Sequence, residues 1–323
     1  MAKAVRYHKQ GGPEVLQVDD VQVGDPAQGQ VRIRHTAIGV NFVDTYQRSG
    51  LYPMQLPQVA GNEGAGVVEA VGAGVTDLKA GDRVTYTGIP GSYCEQRLVP
   101  ADRMVKLPQG ITEEQAASML LKGLTVHYLI YSTYPVKKGE TVLWHAAAGG
   151  VGLIACQWLK ALGVTTIATA GSADKLALAK AHGADHLIDY SKGSFVEKVK
   201  ELTGGKGVPV VYDGVGKSTW EGSLDCLRPR GLMVTFGNAS GPVAPVNLGI
   251  LASKGSLYVT RPTLATHIAS RADLVERSNA LFDIVKSGKV KIETTKKYKL
   301  ADAQQAHRDL EGRKTTGSVV LIP

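Results

Sequence analysis

The stretch Thr141-Val142-Leu143-Trp144-His145-Ala146-Ala147-Ala148-Gly149-Gly150-Val151-Gly152 decides the fold. Its first half is a short apolar run that suits a strand. Its second half opens a helical pattern carried by Val151, Ile154, Trp158 and Leu162. Glycines placed where a strand gives way to a helix are a nucleotide-binding signal, because backbone without a Cβ at Gly149 and Gly150 can approach a pyrophosphate. Gly152 lets the helix lie close against the strand, and the helix N-terminus offers N–H groups and partial positive charge to phosphates. Ala147 stands where the usual G-x-G-x-x-G has its first glycine, so the fingerprint is a variant one.

Working downstream, strand signals recur at 164–169, 185–190, 208–213, 232–236 and 256–260, with helical segments at 174–182, 194–202 and 220–227. Such alternation predicts an α/β architecture with a doubly wound parallel sheet. A domain that prefers NAD places an acid about 20 residues after the glycines, on the ribose 2′-hydroxyl. Here that position reads Ala170-Gly171-Ser172-Ala173-Asp174-Lys175. Asp174 suits the first turn of the next helix, where the dipole favours an acid. Gly171, Ser172 and Lys175, with Tyr190 from the third strand, are therefore expected to hold a 2′-phosphate, which favours NADPH over NADH.

Upstream, residues 1 to about 110 read as β-rich. Val31 to Ala37 alternates apolar and polar, and turn signals recur at Gly11-Gly12-Pro13, Asp25-Pro26, Gly72-Ala73-Gly74, Gly81-Asp82 and Pro90-Gly91. The pattern changes at Thr112-Glu113-Glu114-Gln115, a capping box that starts a long helix. After Arg261-Pro262 come an amphipathic segment at 270–286, a strand at 296–300, a short helix at 301–310 and a closing strand at 317–322. The expected layout is a β-rich domain from 1–124 and 261–323, interrupted by a nucleotide domain at 125–260.

Composition narrows the function. The 323 residues are 43% hydrophobic and 20% charged, an ordinary balance for a chain with a full core. A net charge of +8 comes from scattered Lys and Arg, with one short cluster at Lys296-Lys297 and Lys299, which argues against a dedicated nucleic-acid binder. Three distant cysteines without a C-x-x-C exclude a disulfide framework and a cysteine-built zinc site. No apolar run reaches the roughly 18 residues of a membrane span, and no secretory segment opens the chain, so a soluble cytoplasmic protein is expected.

With these residues in view, the chain resembles the medium-chain dehydrogenase/reductase superfamily, and within it the zinc-free quinone oxidoreductases related to zeta-crystallin. The resemblance rests on Gly11-Gly12-Pro13-Glu14-Val15-Leu16, Ile38 to Tyr46, Arg48 to Pro53, Lys122 to Val126, the glycine turn and Arg261-Pro262. It implies a GroES-like β-rich catalytic domain with an inserted Rossmann domain, NADPH as cofactor and a quinone as acceptor. Zinc-dependent relatives use a Cys and a Gly-His-Glu segment as metal ligands. Here those segments read Asn41-Phe42-Val43-Asp44 and Gly61-Asn62-Glu63, so no metal is expected.

The same resemblance puts Asn41, Asp44 and Thr125 around the nicotinamide half of the cofactor. Gly149, Gly150, Val151, Gly171, Ser172, Lys175 and Tyr190 fall at its pyrophosphate and adenosine end, with Phe236, Gly237, Asn238 and Arg313 as further contacts. Asn41, Tyr46 and Tyr52 are the candidate catalytic side chains, the tyrosines lying in a stretch read as β-rich. A double-bond reductase acting on enones or alkenals is the enzymatic alternative, and a crystallin-like or AU-rich RNA-binding role the non-enzymatic one. Relatives are dimers or tetramers, and Leu257-Tyr258-Val259 is a candidate edge for a homodimer.

Overall fold

The computed structural model describes residues 1–323. The chain divides into two compact units, Met1–Leu124 with Ile268–Lys286 and Ile292–Pro323, and Thr125–His267 with Ser287–Lys291. The return to the first unit therefore falls after His267, later than the expected 260/261. The short helix Leu264–His267 stays with the second unit, where the His267 ring stacks on Tyr128 at 4.3 Å. Ser287–Lys291 joins it too, because Lys291 N–H donates to Gln157 Oε1 at 2.8 Å.

In the second unit six parallel strands lie in the spatial order His186–Asp189, Thr165–Ala170, Thr141–Trp144, Val208–Asp213, Leu227–Thr235 and Tyr258–Thr260. Numbered along the chain this is 3-2-1-4-5-6, the Rossmann order, with its topological switch beside Thr141–Trp144. The intervening helices include Gly150–Ala161, Ala173–Ala181 and Phe195–Leu202. Leu143, Ile167, Val208, Val211 and Met233 fill a core beneath them, and Leu257 packs there as well. The expected edge segment 257–259 is thus split: Leu257 is buried, while Tyr258 and Val259 are exposed.

The first unit is built by both ends of the chain. Its seven-stranded sheet has the closing strand Ser318–Ile322 antiparallel to Gln30–Val40, with Val320 opposite Gly39. The helix Glu113–Tyr128 starts at the expected capping box. Thr112 N–H donates to Gln115 Oε1 at 3.0 Å, and Gln115 N–H returns to Thr112 Oγ1 at 3.1 Å.

One element departs from the β-rich reading. Phe42–Ser49 is an α-helix with Asn41 at its N-cap and Gly50 closing it at φ +85°. Asn41 N–H donates to Asp44 Oδ2 at 2.8 Å, the signature of a capping box whose third position is aspartate. Tyr46 therefore lies on a helix and Tyr52 on the loop after it.

Candidate functional site

The predicted cofactor residues of the second unit gather at the C-terminal edge of its parallel sheet, where open α/β sheets bind ligands. The first strand ends at Trp144, and the glycine turn that follows leads into Gly150–Ala161. Gly149 is the N-cap, and no side chain caps this helix, so its first N–H groups point out of the turn without a side-chain acceptor. A Cβ at Gly152 would lie 2.5 Å from the carbonyl oxygen of Ala147, so only glycine lets the helix approach the turn this closely. The left-handed residue of the turn is Ala146, at φ +53°, while Ala147 is buried with its N–H on Thr169 O at 3.0 Å. The missing first glycine of the fingerprint is thus tolerated: a methyl fits there.

The adjacent strand, Thr165–Ala170, delivers Gly171, Ser172 and Lys175. Ser172 is the N-cap of Ala173–Ala181, its Oγ accepting the Lys175 N–H at 3.4 Å. That bond uses an oxygen lone pair and leaves the hydroxyl proton to be donated elsewhere. Tyr190, just past the third strand, packs so closely on Gly171 that a Cβ there would meet its hydroxyl at 3.1 Å. Gly171, Ser172, Lys175 and Tyr190 are therefore brought together. Phe236, Gly237 and Asn238 follow the strand Leu227–Thr235, and Arg261 clamps this turn through Thr235 Oγ1 and Gly237 O, both at 3.0 Å. Thr125 is buried in its helix.

Beneath this edge lies a buried network that the sequence reading missed. Asp213 ends the fourth strand and accepts from Val215 N–H at 2.7 Å, Gly216 N–H at 3.0 Å, Thr219 Oγ1 at 2.6 Å and Ser223 Oγ at 2.9 Å. Ser223 Oγ accepts in turn from His145 Nε2 at 3.0 Å, and His145 Nδ1 takes the Thr169 hydroxyl at 2.8 Å. Burial lowers the His145 pKa and keeps the ring neutral, against the pull of Asp213. The network ties together the ends of the first, second and fourth strands of the sheet in chain order. Its only signal in the sequence was a histidine closing an apolar strand.

In the first unit Asn41, Asp44, Asn62, Glu63 and Lys122 form a second buried polar cluster. Asn41 Nδ2 donates to Glu63 Oε2 at 2.9 Å, and Glu63 Oε1 accepts the Leu121 N–H at 2.7 Å. Asp44 accepts from Asn62 Nδ2 at 2.7 Å, the Asn41 N–H and the Tyr93 hydroxyl at 3.0 Å. Burial pushes the Asp44 carboxyl up to about 6, in spite of these donors. The chain continues through His307. Arg48 Nη1 donates to His307 Nδ1 at 3.0 Å, so the His307 Nε2–H donates to Tyr93 at 3.0 Å. Arg48 closes on Glu311 at 2.7 Å. Tyr46 and Tyr52 pair edge to face at 5.3 Å. Arg313 is exposed just past the helix Ala303–Glu311.

Two family models match the chain: "Alcohol dehydrogenase GroES-like domain" over residues 27–109 and "Zinc-binding dehydrogenase" over 150–276. A quinone oxidoreductase of Pseudomonas aeruginosa is 55% identical, with 100% of both chains covered. The chain belongs to the quinone oxidoreductases of the medium-chain dehydrogenase/reductase superfamily. A 2-haloacrylate reductase of a Burkholderia species is 46% identical, over 100% of this chain and 99% of its own. The crystal structure of Escherichia coli quinone oxidoreductase complexed with NADPH superposes with a TM-score of 0.98 at 54% identity, covering 100% of each chain.

Zinc, named in one family description, does not fit the residues present in this quinone oxidoreductase. No three His, Cys, Asp or Glu side chains converge, and Asp44 and Glu63 are engaged by the donors described above. A dinucleotide does fit. The uncapped helix N-terminus, the turn that a Cβ at Gly152 would fill, and the Ser172–Lys175 cap match its phosphates.

Proposed function

We propose that the protein is an NADPH-dependent quinone reductase, soluble and cytoplasmic, working as a homodimer. The observation that carries the cofactor choice is the end of the second strand, where Ser172, Lys175 and Tyr190 gather without a carboxylate at the strand terminus. The acceptor class rests on the quinone oxidoreductases to which the chain is similar over its full length. When bound, NADPH supplies a hydride, two electrons with one proton. The chain's own residues bind, orient and screen. Gly149, Gly150 and Val151 take the pyrophosphate at the helix N-terminus, and the Ser172 hydroxyl and the Lys175 ammonium take the 2′-phosphate. Phe236, Gly237, Asn238 and Arg313 are assigned to the remainder of the cofactor. Asn41, Asp44 and Thr125 are assigned to its nicotinamide half, and Tyr46 and Tyr52 to the acceptor. Alignment of donor and acceptor is the main source of rate in such a site.

Steady-state oxidation of NADPH and of NADH with 1,4-benzoquinone and with an alkenal tests this reading. Rapid NADPH-specific quinone turnover, unaffected by chelator, is the expected result. The Ser172→Ala/Lys175→Ala pair should lower kcat/KM for NADPH about 100-fold, the worth of two bonds to a charged phosphate, and leave NADH nearly unchanged. A preference for NADH would overturn the 2′-phosphate assignment. Similarity to a 2-haloacrylate reductase favours a second reading, reduction of a conjugated double bond, for which turnover would appear with the alkenal alone. NADPH binding without turnover on any acceptor would point to a binding role.

Three free, buried cysteines suit a reducing cytoplasm, and no helix is long and apolar enough to cross a membrane. The homodimer is supported by the strand Tyr258–Thr260, which ends the parallel sheet and pairs only with Leu227–Thr235. Tyr258, on this open ladder, is 60% exposed. An apolar open edge is covered in most stable proteins, and a second copy does so by symmetry. Light scattering at micromolar concentration should give twice the chain mass, falling to one for Tyr258→Lys. A monomer mass for the parent protein would refute the assignment.

A further inference from the structure

One residue holds the glycine turn to the strand that leads into Ser172. Thr169, next to last in the strand Thr165–Ala170, accepts the Ala147 N–H on its carbonyl oxygen at 3.0 Å and donates its hydroxyl to His145 Nδ1 at 2.8 Å. It thereby grips the glycine turn on both sides of Ala146, the residue at φ +53°. The same strand runs on into Ser172, whose cap is assigned to the 2′-phosphate. Both turns belong to the unit Thr125–His267. The direction of each bond in this grip is set from the fourth strand. An ionised Asp213 only accepts, so Ser223 spends its proton on Asp213 Oδ2 and takes the Nε2–H of His145. That leaves Nδ1 bare and obliges the Thr169 hydroxyl to donate to it. His145, Thr169, Asp213 and Ser223 are all buried, and the Phe195 ring stands edge-on to His145 at 4.9 Å. The chain of bonds admits one arrangement of protons. Apolar side chains of the same shape can be nearly as stable as such a chain; what a satisfied network adds is fixed geometry.

We propose that His145 and Thr169, oriented by Asp213 through Ser223, are positioning residues that set the spacing between the pyrophosphate turn and the 2′-phosphate turn, so that one NADPH engages both at once. This rests on the assignment of the Ser172–Lys175 turn to the 2′-phosphate made above. None of the four side chains touches the ligand. They act through the backbone of the glycine turn, whose two ends they fix against the neighbouring strand. A fragment that occupies one turn does not sense the spacing. A dinucleotide that occupies both does, because its second contact is gained only where the first leaves it in reach.

The test compares the parent with Thr169→Val, which removes the hydroxyl and keeps the shape, Ser223→Ala, which cuts the chain on the far side of the ring, and Thr169→Ser, which keeps the hydroxyl. NADPH and adenosine 2′-monophosphate, which reaches only the 2′-phosphate turn, are titrated against each by calorimetry where circular dichroism shows the protein folded. NADPH affinity should fall about tenfold in Thr169→Val and in Ser223→Ala, the worth of one hydrogen bond to a charged group, and return to within about threefold of the parent in Thr169→Ser. Affinity for adenosine 2′-monophosphate should stay within about twofold throughout, which a general loosening of the unit would not allow. In the parent, nitrogen-15 NMR should find the His145 ring neutral with its proton on Nε2, and Asp213→Asn should lose that single tautomer. Should one variant fail to fold, the other and the tautomer in the parent decide. NADPH affinity within about threefold of the parent in either Thr169→Val or Ser223→Ala, equal losses for both ligands, or a ring proton on Nδ1 in the parent would overturn the proposal. Failure of adenosine 2′-monophosphate to bind the parent would instead overturn the 2′-phosphate assignment, and NADPH affinity and the tautomer would still judge the network.

Discussion

Gly152→Val is expected to weaken NADPH binding about 100-fold while far-ultraviolet circular dichroism stays close to that of the parent. The new side chain would start 2.5 Å from Ala147 O and 2.6 Å from the Ala147 carbonyl and α carbons. These are backbone atoms, fixed by the Ala147 N–H bond to Thr169 O at 3.0 Å, and cannot step aside as a side chain would. The helix Gly150–Ala161 must back away from the strand, carrying its N–H groups off the pyrophosphate proposed to bind there. Overpacking of this kind costs about 1–3 kcal/mol, and the upper end, spent on the bound geometry, is the hundredfold. Fluorescence titration with NADPH measures it. A dissociation constant within about threefold of the parent's would show that the turn does not hold the cofactor.

The second large effect is acid lability. His35 and His307 are buried, and both are held down to about 3, chiefly by burial and then by Arg97 and Arg48 respectively. Both are wired as neutral rings. His35 donates from Nδ1 to Cys94 O at 2.7 Å and accepts the Tyr86 hydroxyl at 2.9 Å, while His307 bridges Arg48 and Tyr93. In the unfolded chain they protonate near pH 6.5, so between that value and about pH 3 the unfolded state binds more protons and stability falls with pH. From pH 7 to pH 4 the loss is about 3 kcal/mol for each ring.

Asp44 works the other way. Its folded pKa of about 6 lies above the unfolded value, so it favours the fold once protonated, and acidification returns about 2 kcal/mol. The net expectation is a loss of about 4 kcal/mol, read as a falling urea midpoint between pH 7 and pH 4. His307→Asn should remove close to half of the histidine-linked slope. A midpoint flat or rising toward acid would show that one of these rings is charged in the folded protein.

The nucleotide unit was largely legible because its information is local. The Thr141–Gly152 stretch and the β/α alternation fix a Rossmann sheet, and the cluster of Gly171, Ser172, Lys175 and Tyr190 needs only neighbouring strand ends to come together. The capping box at Thr112 and Gln115 was legible for the same reason. The helix Phe42–Ser49 was not, since its box uses Asn41 and Asp44 within a stretch dominated by strand signals. Tyr46 and Tyr52 were misplaced with it. The two buried polar networks were invisible because their partners are remote in sequence: Tyr93 and His307 are 214 residues apart, and His145 and Ser223 are 78. No periodicity or spacing rule connects such pairs.

The pairing of Ser318–Ile322 with Gln30–Val40 also sets an order of assembly. A chain emerging from the ribosome offers its N-terminal residues first, and domains are usually completed in that order. Here the first unit must wait, with strand Gln30–Val40 lacking one neighbour, until the final strand has been synthesised. Thr125–His267 meanwhile forms almost all of the nucleotide-binding unit from one uninterrupted segment. The cofactor half of the enzyme is therefore expected to be folded before the half whose synthesis began first.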